Sequence, residues 1–189
     1  MAQPYKWDIL VKLTHWTVAA LFFCNYFLTE KGSTLHQWVG YAVVGAIAIR
    51  LLWGLIASSP ARLTTFKPSI PSALAHIKET LVTKRDDHVG HNPAGAIMIW
   101  TMWTLLLSTA LTGWATEQNI WGAKDSIGDF HEILANITMT AVTIHVSAVI
   151  LMTKLTGNSY FSGIALWRRK ANSKTNKPKQ NSDDISGVS

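Results

Sequence analysis

Charged residues are scarce in this chain. Only 15% of its 189 residues are Asp, Glu, Lys or Arg, against about 25% in ordinary soluble domains. That deficit argues against a large water-facing surface. Cysteine is scarcer still. Cys24 is the only one, so no intramolecular disulfide can form and no C-x-x-C-H motif exists. Lying inside an apolar run, Cys24 reads as a small buried hydrophobe. No internal repeat and no glycine-rich nucleotide loop is present. The first apolar run has no A-x-A-like cleavage site and contains His15, so it is expected to stay in the protein rather than act as a removable signal.

What the chain does have is apolar residues, 48% of the total, grouped in blocks of about 20, the length that crosses a bilayer. Four spans are predicted, at about 9–28, 36–57, 94–115 and 130–154. A soluble four-helix bundle would need a polar outer face on every helix. The third span, AGAIMIWTMWTLLLSTALTGWA, offers only Thr and Ser. The expected fold class is therefore all-α, an integral membrane four-helix bundle in contact with lipid. Residues 1–167 would form the bundle domain. Residues 168–189, RKANSKTNKPKQNSDDISGVS after Arg168, form a basic polar tail without apolar periodicity, which reads as disordered.

The net charge of +6 reports topology rather than a nucleic-acid partner. Of the 17 Lys and Arg, 13 fall at the N-terminal end (Lys6, and Lys12 early in span one), between spans two and three, or in the tail. Only Lys31 and Lys124 lie in the other two loops, and Arg50 and Lys154 lie within or at the edge of spans. This positive-inside pattern predicts four spans with both termini cytoplasmic. The short loop TEKGSTL makes spans one and two a hairpin. In the long second loop, SSPARLTTFKPSIPS carries three prolines that oppose helix. Residues 73–83 then read either as a short amphipathic helix on the inner surface or as a loop with a turn or two. Trp114 and Trp121 suit an interfacial belt on the outer side.

Four of the seven histidines lie in or at the ends of spans: His15, His36, His131 and His145. His131 and His145 are 14 residues apart, so they share a helix face about 21 Å apart along the axis. Given the topology, His36 and His131 fall at an outer level, and His15 and His145 at an inner level. Histidines at membrane depth are costly and point to function. The plain alternative is that each makes a hydrogen-bonded helix contact. Matching in pairs at two depths favours two stacked cofactors. An iron porphyrin needs two axial nitrogens from facing helices, an apolar slot and cations for its propionates.

Arg50 lies 14 residues after His36, on the same face and at the inner level. It reads equally as a propionate partner or as an arginine snorkelling to the interface. Gly40, one turn after His36, would let a porphyrin approach the backbone, or would serve close helix packing. His76, His88 and His91 lie in the inner loop, where a solvated histidine is the default. His91 and Asn92 precede the third span and could meet a quinone headgroup. Pro93 suits the first position of that helix.

Taken together, ILVKLTHW, LHQWVGY followed by RLLWG, HNPAGA, and HEILAN with IHVSAV resemble the bacterial cytochrome b561 family. That family includes the b-type cytochrome subunits of nickel–iron hydrogenases and is similar to formate dehydrogenase gamma subunits. The resemblance spans about residues 5–167. It implies two b haems, ligated by His36 with His131 and by His15 with His145, in the bacterial inner membrane. It implies electron transfer between quinone and a periplasmic c-type cytochrome or oxidoreductase subunit. Asn92 and Gly95 resemble the Asn and Gly at a menaquinone site of the gamma subunits, here with Pro93 intervening. A homo-oligomer is compatible with the sequence. The rival expectations are a haem-free transporter or proton relay using the same His and Arg, and a redox-silent membrane anchor. No span is broken in its middle by Pro, and no intramembrane acidic chain appears, which opposes the transporter.

Overall fold

The computed structural model describes residues 7–57, 61–86, 90 and 92–166, except for the side chain of Trp121. The described residues are helical, with no strand. Six α-helices run in order: α1 Ile9–Phe27, α2 Thr34–Ile56, α3 Ile70–Thr83, α4 Pro93–Glu117, α5 Lys124–Thr156 and α6 Tyr160–Ile164. Of these, α1, α2, α4 and α5 are long and apolar enough to cross a membrane. The chain is an all-helical four-span membrane protein. The basic tail and its expected disorder lie outside the described residues.

The helix starts follow capping chemistry. Asp8 accepts the Val11 N–H at 2.8 Å to open α1, and Ser33 accepts the His36 N–H at 3.1 Å to open α2. At α4, Asn92 accepts the Gly95 N–H at 2.7 Å, with Pro93 in the first turn. The fourth span, expected at about 130–154, lies within α5, which begins at Lys124. Hydropathy marks the part that fits hydrocarbon, whereas a helix can extend past it. Asp125 in the first turn suits the positive end of the dipole. Pro71 reads as helix-opposing, yet it sits in the first turn of α3, where the missing N–H costs nothing. Residues 73–83 are helical, and the helix starts three residues earlier.

α1 packs on α2 and α4 on α5, and α2 against α4 joins the two hairpins. Their shared core is Phe22, Val43, Ile47 and Leu106. The innermost polar residue is Thr138, with no exposed surface. Its hydroxyl donates to Leu134 O at 2.7 Å and lies 3.1 Å from Thr109 Oγ1 of α4. The outward faces are apolar, with Leu28, Leu52 and Leu111 more than half exposed. Such a surface is wetted by lipid tails.

The two ends of the bundle differ. At one end lie the start of α1, the end of α2, α3, the start of α4 and α6. Trp53 Nε1 donates to Asp8 at 3.2 Å, Trp100 Nε1 to Phe66 O at 3.1 Å, and Trp16 Nε1 to Ile164 O at 3.0 Å. This is the loop-rich end. At the opposite end, Lys31 pairs with Glu132 at 2.8 Å and Tyr26 OH donates to Asn136 Oδ1 at 2.6 Å.

Candidate haem-ligand pairs

α2 and α5 bring His36 and His131 together at the end opposite the loops, with ring centroids 6.1 Å apart and planes at 83°. α1 and α5 bring His15 and His145 together toward the loop-rich end, at 6.5 Å and 57°. One helix thus serves both pairs, because a 14-residue step nearly restores direction while advancing about 21 Å.

The ring nitrogens of the first pair are oriented by the protein. His131 Nδ1 lies 2.9 Å from Thr109 O and 3.3 Å from Thr112 Oγ1. A carbonyl only accepts, so Nδ1 carries the proton and Nε2 keeps its lone pair. His36 Nδ1 lies 3.0 Å from Thr29 Oγ1, whose single hydrogen also has Asn25 O at 2.8 Å and Asn25 Oδ1 at 2.9 Å as acceptors. With that hydrogen on Asn25, the Thr29 oxygen accepts from His36 Nδ1–H and Nε2 is free. Both rings present a lone pair suited to metal, held by a hydrogen bond on the far nitrogen.

Gly113 of α4 belongs to the same site. A Cβ built there would come 2.9 Å from His131 Cε1, closer than any side chain tolerates. The sequence reading passes over Gly113, Thr109 and Thr112. Their signal is the run STALTG, small and hydroxylated inside an otherwise bulky span. Gly40 behaves differently. A Cβ there would meet only Asn25 Nδ2 at 3.9 Å, so helix packing does not require the glycine.

His15 and His145 make no hydrogen bond to the described residues. His15 packs edge-on to Trp16, with centroids 5.3 Å apart, and Trp16 in turn meets Phe161 of α6 at 6.0 Å.

Arg50 is buried, with 6% exposure, and its side chain reaches toward the loop after α2. Its Nη2 donates to Ala61 O at 3.1 Å, and its guanidinium lies 5.6 Å from the Trp103 ring centroid and 6.0 Å from that of Phe66. Nη1 is buried without a hydrogen-bond partner.

Asn92 uses its amide on both sides, capping α4 through Oδ1 and donating from Nδ2 to Asp86 Oδ2 at 2.7 Å. Gly95 leaves room for that cap, since a Cβ would lie 3.0 Å from Asn92 Oδ1. Beside this helix start is a cleft of about 400 Å³, lined by Phe66, Lys67, Ser69, Ser72, Pro93 and Ala96 among others. His91 and His88 lie outside the described residues. His76, expected to be solvated, is 5% exposed and 3.7 Å from Asp86. Loop length gave no hint that α3 folds back onto α4 and buries it.

A bundle of four apolar helices holding two histidine pairs at different depths is the architecture of a membrane haem protein. The family model described as prokaryotic cytochrome b561 matches residues 6–174. The chain belongs to the prokaryotic cytochrome b561 family, membrane b-type cytochromes that bind haem b and transfer electrons. Neither the curated proteins nor the solved structures yield a match.

Proposed function

We propose that the chain is a di-haem cytochrome carrying electrons across the bacterial inner membrane, between a periplasmic redox partner and the quinone pool. One observation carries this reading: two histidine pairs on facing helices, at 6.1 and 6.5 Å between ring centroids. Two imidazoles sharing one metal ion at about 2.0 Å per bond place their centroids roughly 6 Å apart. His36 with His131 would hold the outer haem and His15 with His145 the inner one. Haem b ligated on both faces supplies one-electron redox chemistry without an open position for oxygen.

The chain's own residues do the rest. Thr29 and Thr109 fix the tautomers of His36 and His131. The space left at Gly40 suits a flat macrocycle against α2. The unpartnered Nη1 of Arg50 is a buried donor suited to a carboxylate such as an inner propionate. The basic loop-rich end faces the cytoplasm under the positive-inside rule, so both termini of the domain over residues 1–167 are cytoplasmic. Quinone exchanges electrons at that end, in the cleft beside Asn92 and Gly95 and near His91. At the periplasmic end the partner is a c-type cytochrome or an oxidoreductase subunit, and the bundle admits a homo-oligomer.

The test is a reduced-minus-oxidised visible spectrum of the purified chain with a haem-to-protein ratio. Two b haems per chain are expected. A chain purified without haem would overturn the reading and favour a transporter or proton relay instead. A ratio of one would remove one histidine pair.

A further inference from the structure

The loop-rich end holds a buried polar cluster apart from both histidine pairs. Asp86, 9% exposed, is its hub. Its Oδ2 accepts from Asn92 Nδ2 at 2.7 Å and from Tyr160 OH at 2.7 Å, and lies 3.7 Å from His76 Nε2. Its backbone carbonyl accepts from Asn158 Nδ2 at 3.0 Å. Three segments thus converge on one carboxylate: α3, the α4 cap and α6. Among these contacts the titratable groups facing Asp86 are His76 and Tyr160, while Asn92 and Asn158 are neutral donors. Lys84 and Arg85 precede it in the chain and are exposed.

Two further placements give the cluster a direction. Ser72 of α3 and Ala96 of α4 line the cleft, and His76 and Asn92 stand one turn along those same helices. The cluster therefore lies directly beyond the lined part of the cleft. On its other side, α6 ties it to the inner histidine pair. Tyr160 bonds Asp86, and Ile164, roughly 6 Å further along the helix axis, accepts from Trp16, the neighbour of His15.

We propose that the His76–Asp86–Tyr160 cluster exchanges protons with quinone bound in the cleft between α3 and α4. The assignment rests on the quinone part of the function proposed above. In quinol oxidation two O–H bonds break, and two electrons leave one at a time for haem b at the His15–His145 level. The two protons pass through water in the open cleft to Asp86 and His76, and from there to the aqueous phase. Quinone reduction runs the same transfers in reverse. A carboxylate or an imidazole can accept a proton within hydrogen-bond reach, directly or through one water. Tyr160 stays protonated throughout, because burial and its bond to Asp86 push its phenol up to about 12. It orients Asp86 rather than titrating.

The experiment follows haem reduction in the purified full chain by menadiol across a pH series. In the unaltered chain the rate rises with pH, as the accepting groups lose their protons. Asp86→Asn and His76→Gln are expected to lower it about 10²-fold and to flatten that rise, with haem content and absorption spectrum unchanged. Tyr160→Phe should lower the rate less and keep the rise. Redox-difference infrared spectra should lose a carboxyl band in Asp86→Asn, which a purely structural role would leave in place. Asp86→Asn and His76→Gln variants with an unaltered pH profile, whatever their overall rate, would overturn the proposal while leaving quinone exchange intact. An unaltered chain that menadiol does not reduce at any pH overturns the quinone reading and this assignment together.

Discussion

The two histidine pairs are built on different principles. His36 and His131 are held through their far nitrogens by Thr29 and by the Thr109 carbonyl, with Gly113 fitted against the ring. His15 and His145 have no such bonds to the described residues. They rely on Trp16, Phe161 and the α6 clasp. The first pair is oriented by directional polar contacts, and the second by apolar packing that draws on α6. Directional bonds fix a tautomer and raise ligand basicity. Apolar packing fixes position alone. The two pairs should therefore respond to different mutations.

The largest effect expected is loss of one haem at a time. His131→Ala should leave about one haem per chain, and His145→Ala likewise, each removing a different spectral component. Loss of neither, or of both together, breaks the division into two independent sites. Gly113→Val comes next. Its side chain would strike the His131 ring, and overpacking of this kind costs about 1–3 kcal/mol. Depleted outer haem with an intact inner one is the expected spectrum, and equal depletion of both would argue against the local explanation. Thr29→Val removes the acceptor for His36 Nδ1. Outer-shell losses of this type weaken metal binding about 10–100-fold, measurable by haem transfer to a competing apoprotein. An unchanged affinity would show that the Thr29 bond is incidental. Smallest of all, Trp16→Phe removes one bond to the α6 backbone, worth about 1 kcal/mol. Redox titration should then shift the inner haem alone, and a shift of the outer one would undo the contrast between the pairs.

The four spans were legible because apolar runs of membrane length leave few alternatives. The start of α5 was not, since the polar stretch 124–129 continues the helix without continuing the hydrophobicity. The four histidines stood out because imidazole is rare in hydrocarbon. The residues that orient them did not, because Thr109 acts through its backbone carbonyl and Gly113 through lacking a side chain. His76 reads as a solvated loop residue and Asp86 carries no signal, since nothing local reveals that α3 folds onto α4 and α6 closes over them.

By itself the sequence determined the class of environment, the number of spans and the 14-residue period that puts two histidines on one face of α5. Those follow from hydropathy and helical geometry, which act along a single segment. Tertiary structure alone decided which ring nitrogens face inward, that Arg50 is buried with one nitrogen unpartnered, and that two distant titratable side chains, His76 and Tyr160, meet at Asp86. Each depends on atoms brought together across helices, where direction and burial are set by packing rather than by spacing along the chain.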